Sequence, residues 1–371
     1  MNSAVGSRAR ARAGIIAVLA TVALLVAACG SSGSSSSAPA AAPSSSAPAS
    51  SSSAAGASTS ASAAGASTVA ASKPIKLAYM SFAVANSYDA PMLAAAQAVA
   101  SDNNATLTVF DAANDPTKQF SELQDVIASG QYQGIITQPI ESTNLIPLVK
   151  QAVAKHIAVV NIDQILGAKL NTFAKQVPGM AGNVTFVPTD MGSKFGGLVV
   201  KACQSKHANP CNVGYMYDIK ASALDVAIRS SFDQAIKADP SIKIVAQGQD
   251  FFTPAMGLKA AQDMLQSQPN LTLIAASDQG IEGASQANGV KKVMLVGYGG
   301  SAAGDQGVAS GAWFGTVAQD PASEGRIGTQ QLVAAIRKGT MSAAVNPLDS
   351  LPAGGVITKA NVAQFHAEWP G

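Results

Sequence analysis

The chain reads as an α/β protein of two lobes, each a doubly wound parallel sheet covered by helices on both faces. Three observations predict this. From Ile75 onward, short apolar runs alternate with longer amphipathic segments, the pattern of βαβ crossovers. The alternation comes as two series of similar size, separated by an irregular stretch from Leu166 to Pro188. Beyond Lys73 lie about 300 residues, enough for two ordinary domains.

In the first series, Ile75 to Met80 is a buried strand, followed by a helix from Pro91 to Ser101. Ala105 to Phe110 is the next strand, and Pro116 to Ser129 the next helix, with Pro116 well placed in its first turn. Gly134 to Thr137, a helix over Asn144 to Lys155, and Ile157 to Ile162 complete four repeats. The stretch from Leu166 to Pro188 carries Gly167, Pro178, Gly179 and Gly182 and reads as irregular. The second series opens with a helix over Met191 to Lys206. It continues through strands at Val213 to Tyr217, Ile242 to Ala246, Leu271 to Ala275 and Val293 to Val296. Sheets of this kind bind ligands beyond the carboxyl ends of their strands, so two facing lobes would enclose one ligand between them.

Ahead of the lobes, Arg8, Arg10 and Arg12 precede a short Ala-rich apolar run from Ala13 to Ala28. It is too short for a comfortable membrane span and has the layout of an export signal, residues 1–28. Its end, Val26-Ala27-Ala28-Cys29 followed by Gly30-Ser31-Ser32, resembles a bacterial lipobox. That resemblance implies cleavage before Cys29, lipid on Cys29, and a place on the outer face of the cell membrane. An ordinary signal peptide that contains a cysteine and an uncleaved anchor are the alternatives. Residues 31–72 are almost wholly Ser, Ala, Gly and Pro, too poor in apolar surface to offset the entropy of ordering. Such a coil of roughly 42 residues has a reach on the order of 35 Å, so 29–72 is expected to be a tether.

The remaining composition narrows the function. Net charge is +2, partly from the leader arginines, and no basic stripe appears, which argues against a nucleic-acid partner. With Cys29 committed to lipid, Cys203 and Cys211 are left as a disulfide pair or as two buried thiols; an oxidising compartment favours the bridge. No nucleophile elbow, P-loop, HExxH or paired CxxC occurs, and His156, His207 and His366 are scattered. No metal and no cofactor are expected. Gly297-Tyr-Gly299-Gly-Ser-Ala302 mimics a dinucleotide fingerprint, but a tight strand-to-helix loop explains its glycines.

The strand ends carry a more specific series. Ser81 with Asn86-Ser-Tyr88, then Asp111-Ala-Ala-Asn114-Asp-Pro116-Thr-Lys-Gln119, resemble the first two units of ribose/galactose-type (type I) periplasmic binding proteins. Gln138-Pro139-Ile-Glu141-Ser142, Asn161-Ile-Asp163 and Val317-Ala-Gln319-Asp320-Pro321 continue the match over residues 73–371. The resemblance implies two Rossmann-like lobes joined by a three-crossing hinge. One lobe would be about 73–188 plus 320–348, the other about 189–319 plus 349–371. It implies capture of a small polar solute, a sugar or polyol, by a monomer that delivers it to an ABC permease in the membrane. A sensory lipoprotein presenting its ligand to a receptor is the first alternative, and a lipoprotein enzyme using Asp89 and Asp163 the second.

Carried over residue by residue, the resemblance places Asn86, Tyr88, Asp163, Phe251 and Gln319 at family ligand positions. Asp89 falls where a second aromatic is common, Gln138 where Asn is usual, and Gln164 where arginine commonly follows the aspartate. Ser277 with Asp278 stands for Asn-Asp, and Gly299 replaces a sugar-binding Asp. Arg229 lies one residue off an expected arginine. Ser81 and Asn86 could instead cap the following helix. Phe252, Tyr298 and Trp313 are cleft walls or core. The departures point to an uncharged or cationic solute, with a sugar or polyol the leading expectation.

Overall fold

The computed structural model describes residues 73–371. The expected leader 1–28, Cys29 and the tether 29–72 lie outside the described residues.

The first sheet is laid down in order by β1 (Ile75–Ser81), β2 (Ala105–Asp111), β3 (Gly134–Thr137), β4 (Ala158–Asp163) and β5 (Gly182–Thr185). Between them run α1 (Asp89–Asp102), α2 (Pro116–Ser129) and α3 (Ile146–Ala154). Local chemistry explains the boundaries. The Asp115 side chain accepts from the amides of Thr117 (2.8 Å) and Lys118 (3.1 Å) to start α2, and Gly130, at φ +62°, ends it.

The chain then enters the second lobe with α4 (Pro188–Ser205) and β6 (Cys211–Tyr217), followed by α5 (Ala223–Ile236) and β7 (Ile242–Gln249). α6 (Pro254–Ser267), β8 (Leu273–Ala275), α7 (Asp278–Ser285), β9 (Met294–Val296), α8 (Ala302–Ser310) and β10 (Gly315–Val317) follow. It returns to the first lobe with α9 (Pro321–Lys338) and β11 (Ala344–Val345), and crosses back to end near β12 (Val356–Thr358). Among the described residues the strands form two sheets, ordered β11-β5-β4-β3-β1-β2 and β12-β10-β9-β8-β6-β7. All neighbours are parallel except β12, which runs antiparallel to β10. The fold is thus the expected pair of doubly wound α/β lobes, joined by three crossings.

The apolar runs form strands because both sheet faces are covered. Leu77, Ala78, Tyr79 and Met80 are all fully buried, with Leu77 and Tyr79 packing toward α1 and α9 and Ala78 and Met80 toward α2 and α3. The stretch expected to be irregular contains β5, which is a correction. Its inward residues Asn183 and Thr185 are polar, and they are tolerated because Asn183 accepts from Asn161 (3.1 Å) and donates to Phe173 O (2.8 Å). Among the described residues, no helix is long and apolar enough to cross a membrane.

Two stability predictions arise here. α9 lies so close to α1 that a Cβ on Gly325 would sit 2.0 Å from the carbonyl oxygen of Met92. Gly325→Ala should therefore cost about 1–3 kcal/mol of stability in urea unfolding, since backbone must move to admit the methyl. Cys203, in the last turn of α4, is bonded to Cys211 at the start of β6, with the Cα atoms 5.9 Å apart. The bridge closes a loop of about nine residues, so reduction or Cys203→Ser should cost about 2.5 kcal/mol in the same assay.

Candidate functional site

The carboxyl ends of the two sheets face one another across a cleft enclosing about 560 Å³, its opening to solvent included. The first lobe contributes Phe82, Asn86, Tyr88 and Asp89 from the β1–α1 loop and the start of α1, and Asp163 and Gln164 from the end of β4. The second contributes Leu224 and Ile228 from α5, Phe252 after β7, Ser277 and Gln279 at α7, and Tyr298 after β9. Phe186 and Gln319 stand at two of the crossings, and Trp369 comes from the C-terminal segment.

The first-lobe wall is organised around one amide. Gln138, at the end of β3, accepts from the Phe82 amide (3.1 Å) through its carbonyl oxygen. Its NH₂ donates to Asp163 Oδ2 (3.1 Å) and to Asp89 Oδ1. Tyr88 Oη donates to the other oxygen of Asp163 at 3.3 Å. Both carboxyls are buried, and no guanidinium, ammonium or imidazole lines the cleft among the described residues. Burial pushes the Asp163 carboxyl up to about 6, opposed by the hydrogen bonds from Gln138 and Tyr88. Burial, and next the charge of Asp163, raise Asp89 well above the usual carboxylate range. Glu324, in the first turn of α9, is raised for the same first reason, and neither of its carboxyl oxygens has a hydrogen-bond partner.

The second-lobe wall rests on buried acids too. Ser277 caps α7 by accepting from the Gly280 amide (3.2 Å) and donates to Asp250 Oδ2 (3.2 Å). Tyr298 Oη donates to Asp218 Oδ2. Burial lifts Asp250 to about 7 and Asp218 well above its usual range. Across the cleft the lobes touch. Gln279 Nε2 donates to Ser87 Oγ (3.0 Å) and Asn86 Oδ1 (3.3 Å), and the Phe82 and Phe252 rings meet edge to face at 6.2 Å.

Of the residues singled out from sequence, Asn86, Tyr88, Asp89, Asp163, Gln164, Ser277 and Gln319 line the cleft. Asn86 also accepts from the Tyr88 amide (2.8 Å), a turn just ahead of α1. Gln138 lies beneath the wall as the support for both aspartates, and Ser81 is buried at the end of β1.

Phe251 and Arg229 belong elsewhere. Consecutive positive φ angles at Phe251 (+52°) and Phe252 (+55°) turn Phe252 into the cleft and leave Phe251 46% exposed in a depression over β7 and α6. Arg229 donates to Asp233 (2.7 Å) and to Tyr217 Oη (2.9 Å), with its guanidinium over the Tyr215 ring. Trp313 is core, packed on Gly307.

Trp369 escaped sequence reasoning, although one signal for it existed. Gly299 stands where the resemblance expects a side chain, at φ +139°. A Cβ there would meet Trp369 Cζ2 at 2.7 Å, and the indole Nε1 donates to Gly299 O (2.8 Å). The glycine-rich loop leads from β9 into α8, capped by Ser301, and the indole occupies the room that its glycines leave.

Two doubly wound lobes, three crossings and a cleft lined from both sides define the class of bilobal solute-binding proteins. The chain belongs to the family described as periplasmic binding protein domain, whose model matches residues 77–340. It is 30% identical over 252 residues to the D-allose-binding periplasmic protein of Escherichia coli K12, covering 66% of this chain and 77% of that one. It is 27% identical over 236 residues to the ribose import binding protein of Haemophilus influenzae, covering 63% and 76%. In fold it is similar to an ABC-transporter solute-binding protein of Mycobacterium smegmatis crystallised with glycerol. That match has a TM-score of 0.67 at 22% identity and covers 81% of this chain and all of that one.

Proposed function

We propose that this protein is an extracytoplasmic lipoprotein, held by lipid on Cys29, that captures a sugar or polyol between its lobes and delivers it to an ABC permease. It works as a monomer and returns its ligand unchanged. The observation that carries this reading is the cleft itself. Carboxyl and amide groups from Asp89, Asp163, Gln164 and Gln319 converge there with the rings of Tyr88, Phe252 and Trp369. Such a mixture suits a polyhydroxylated solute, whose hydroxyls need acceptors and whose C–H faces need flat apolar walls. The names of the D-allose- and ribose-binding relatives support the choice of solute class.

The lipobox at Val26 to Cys29 supports anchoring, and the Ser/Ala-rich residues 29–72 support a tether that keeps the lobes near a permease. Lobe closure around the solute dehydrates its hydrogen bonds, and the closed face is what a permease would read. Small-angle scattering tests this reading. Saturating a ligand-depleted sample with its sugar should reduce the radius of gyration, and a radius unchanged at saturation would remove closure from the mechanism.

A further inference from the structure

We infer that the solute carries a protonated amine on its polyhydroxylated frame, so that the cleft takes an amino sugar or amino polyol rather than a neutral one. This rests on the sugar-binding reading and narrows it. Asp89 and Asp163 line the cleft at 5% and 4% exposure, and no lysine, arginine or histidine lines it with them among the described residues. The NH₂ of Gln138 serves both carboxyls and Tyr88 Oη adds a donor to Asp163, but both donors are neutral and bring no charge to offset the buried acids.

The position beside Asp163 is held by Gln164, only 8% exposed. Its side-chain amide lines the cleft and makes no hydrogen bond within the described residues, so this polar group is left for the ligand. The opposite wall adds no cation. Asp218 and Asp250 lie behind Tyr298 and Ser277, and Arg229 is turned to Asp233 and Tyr217.

The rings supply a second, independent line of argument. Tyr88 and Trp369 meet edge to face at 5.4 Å, so a cation held by Asp163 would lie beside aromatic surface as well as carboxylate. The charge that the wall lacks must therefore arrive with the solute, where it forms charge-assisted hydrogen bonds that a hydroxyl in the same place cannot match.

Calorimetric titration of the ligand-depleted protein at pH 7 tests this, using D-glucosamine, D-galactosamine and D-mannosamine, each against its neutral parent hexose. At least one amine should bind about 10- to 100-fold more tightly than its parent, the range of a charge-assisted hydrogen bond. Asp89→Asn and Asp163→Asn should each erase most of that preference while the variants keep a cooperative melt. A neutral hexose that binds as tightly as its amine, or a preference unmoved in both variants, overturns the inference and leaves the sugar-binding reading standing. Failure of both series to bind overturns the two together.

Discussion

Asp163→Ala should weaken solute binding by about 2–5 kcal/mol, because it removes a buried acceptor and strands the groups that point at it. Tyr88 Oη and the Gln138 amide both donate to this carboxylate, and it ends β4 where the sheet opens onto the cleft. The residue also sits at φ +63°, a region that aspartate and asparagine tolerate better than alanine. Asp163→Asn is therefore the cleaner partner experiment: it keeps the backbone and the shape, and changes charge and one acceptor. Calorimetry reads the affinity and thermal melting reads the fold. An unchanged dissociation constant in both variants would take Asp163 out of the site.

The second large effect concerns pH and the ligand-free protein. In the folded chain the Asp163 carboxyl is lifted from its ordinary 3.8 to about 6, chiefly by burial. A folded-state value above the unfolded one means that the folded state holds the proton more tightly. The stability this confers is fully present below about pH 4 and is lost as pH rises through about 6. A shift of this size corresponds to about 2–3 kcal/mol, lost between about pH 4 and pH 7. Asp163→Asn removes the group from the titration. The stability gap between wild type and variant, from urea midpoints at the two pH values, should move by that amount in the variant's favour at pH 7. A gap independent of pH would mean that the carboxylate is already compensated when charged. Asp250, lifted by burial to about 7, acts in the same direction on the other wall.

Much of this architecture is legible in the sequence because it rests on periodicity and local chemistry. Gly134–Thr137 is recognisable as a strand from its apolar run, and Pro116–Ser129 as a helix because proline opens it and glycine follows it. β5 is not legible: Asn183 and Thr185 look like loop residues until Asn161 is seen beside them in the neighbouring strand. In the site, residues at strand ends and in the loop ahead of α1 could be placed, since βα topology delivers them to the cleft wherever the helices pack. The sequence puts Phe251 at the ligand position and leaves Phe252 between cleft wall and core; two consecutive left-handed residues decide which ring turns inward, and no spacing rule encodes that. Gln279 and Trp369 depend on contacts between distant parts of the chain. Gln279 meets Asn86 from 193 residues away, and Trp369 meets Gly299 from 70.

The return of the chain to its first lobe has a consequence for how the protein is made. Leu77, Tyr79 and Met92 are buried only when Leu332 and Val333 of α9 arrive, and β11 joins the sheet edge later still. A ribosome must therefore synthesise more than three hundred residues before the first lobe can complete its core. Until then α1 alone covers one face of the early strands, and contacts this far apart in sequence form slowly. For a polypeptide that threads through a secretion channel as an extended chain, such late completion holds off premature folding. The order in which the strands are encoded would then suit the export proposed for this chain.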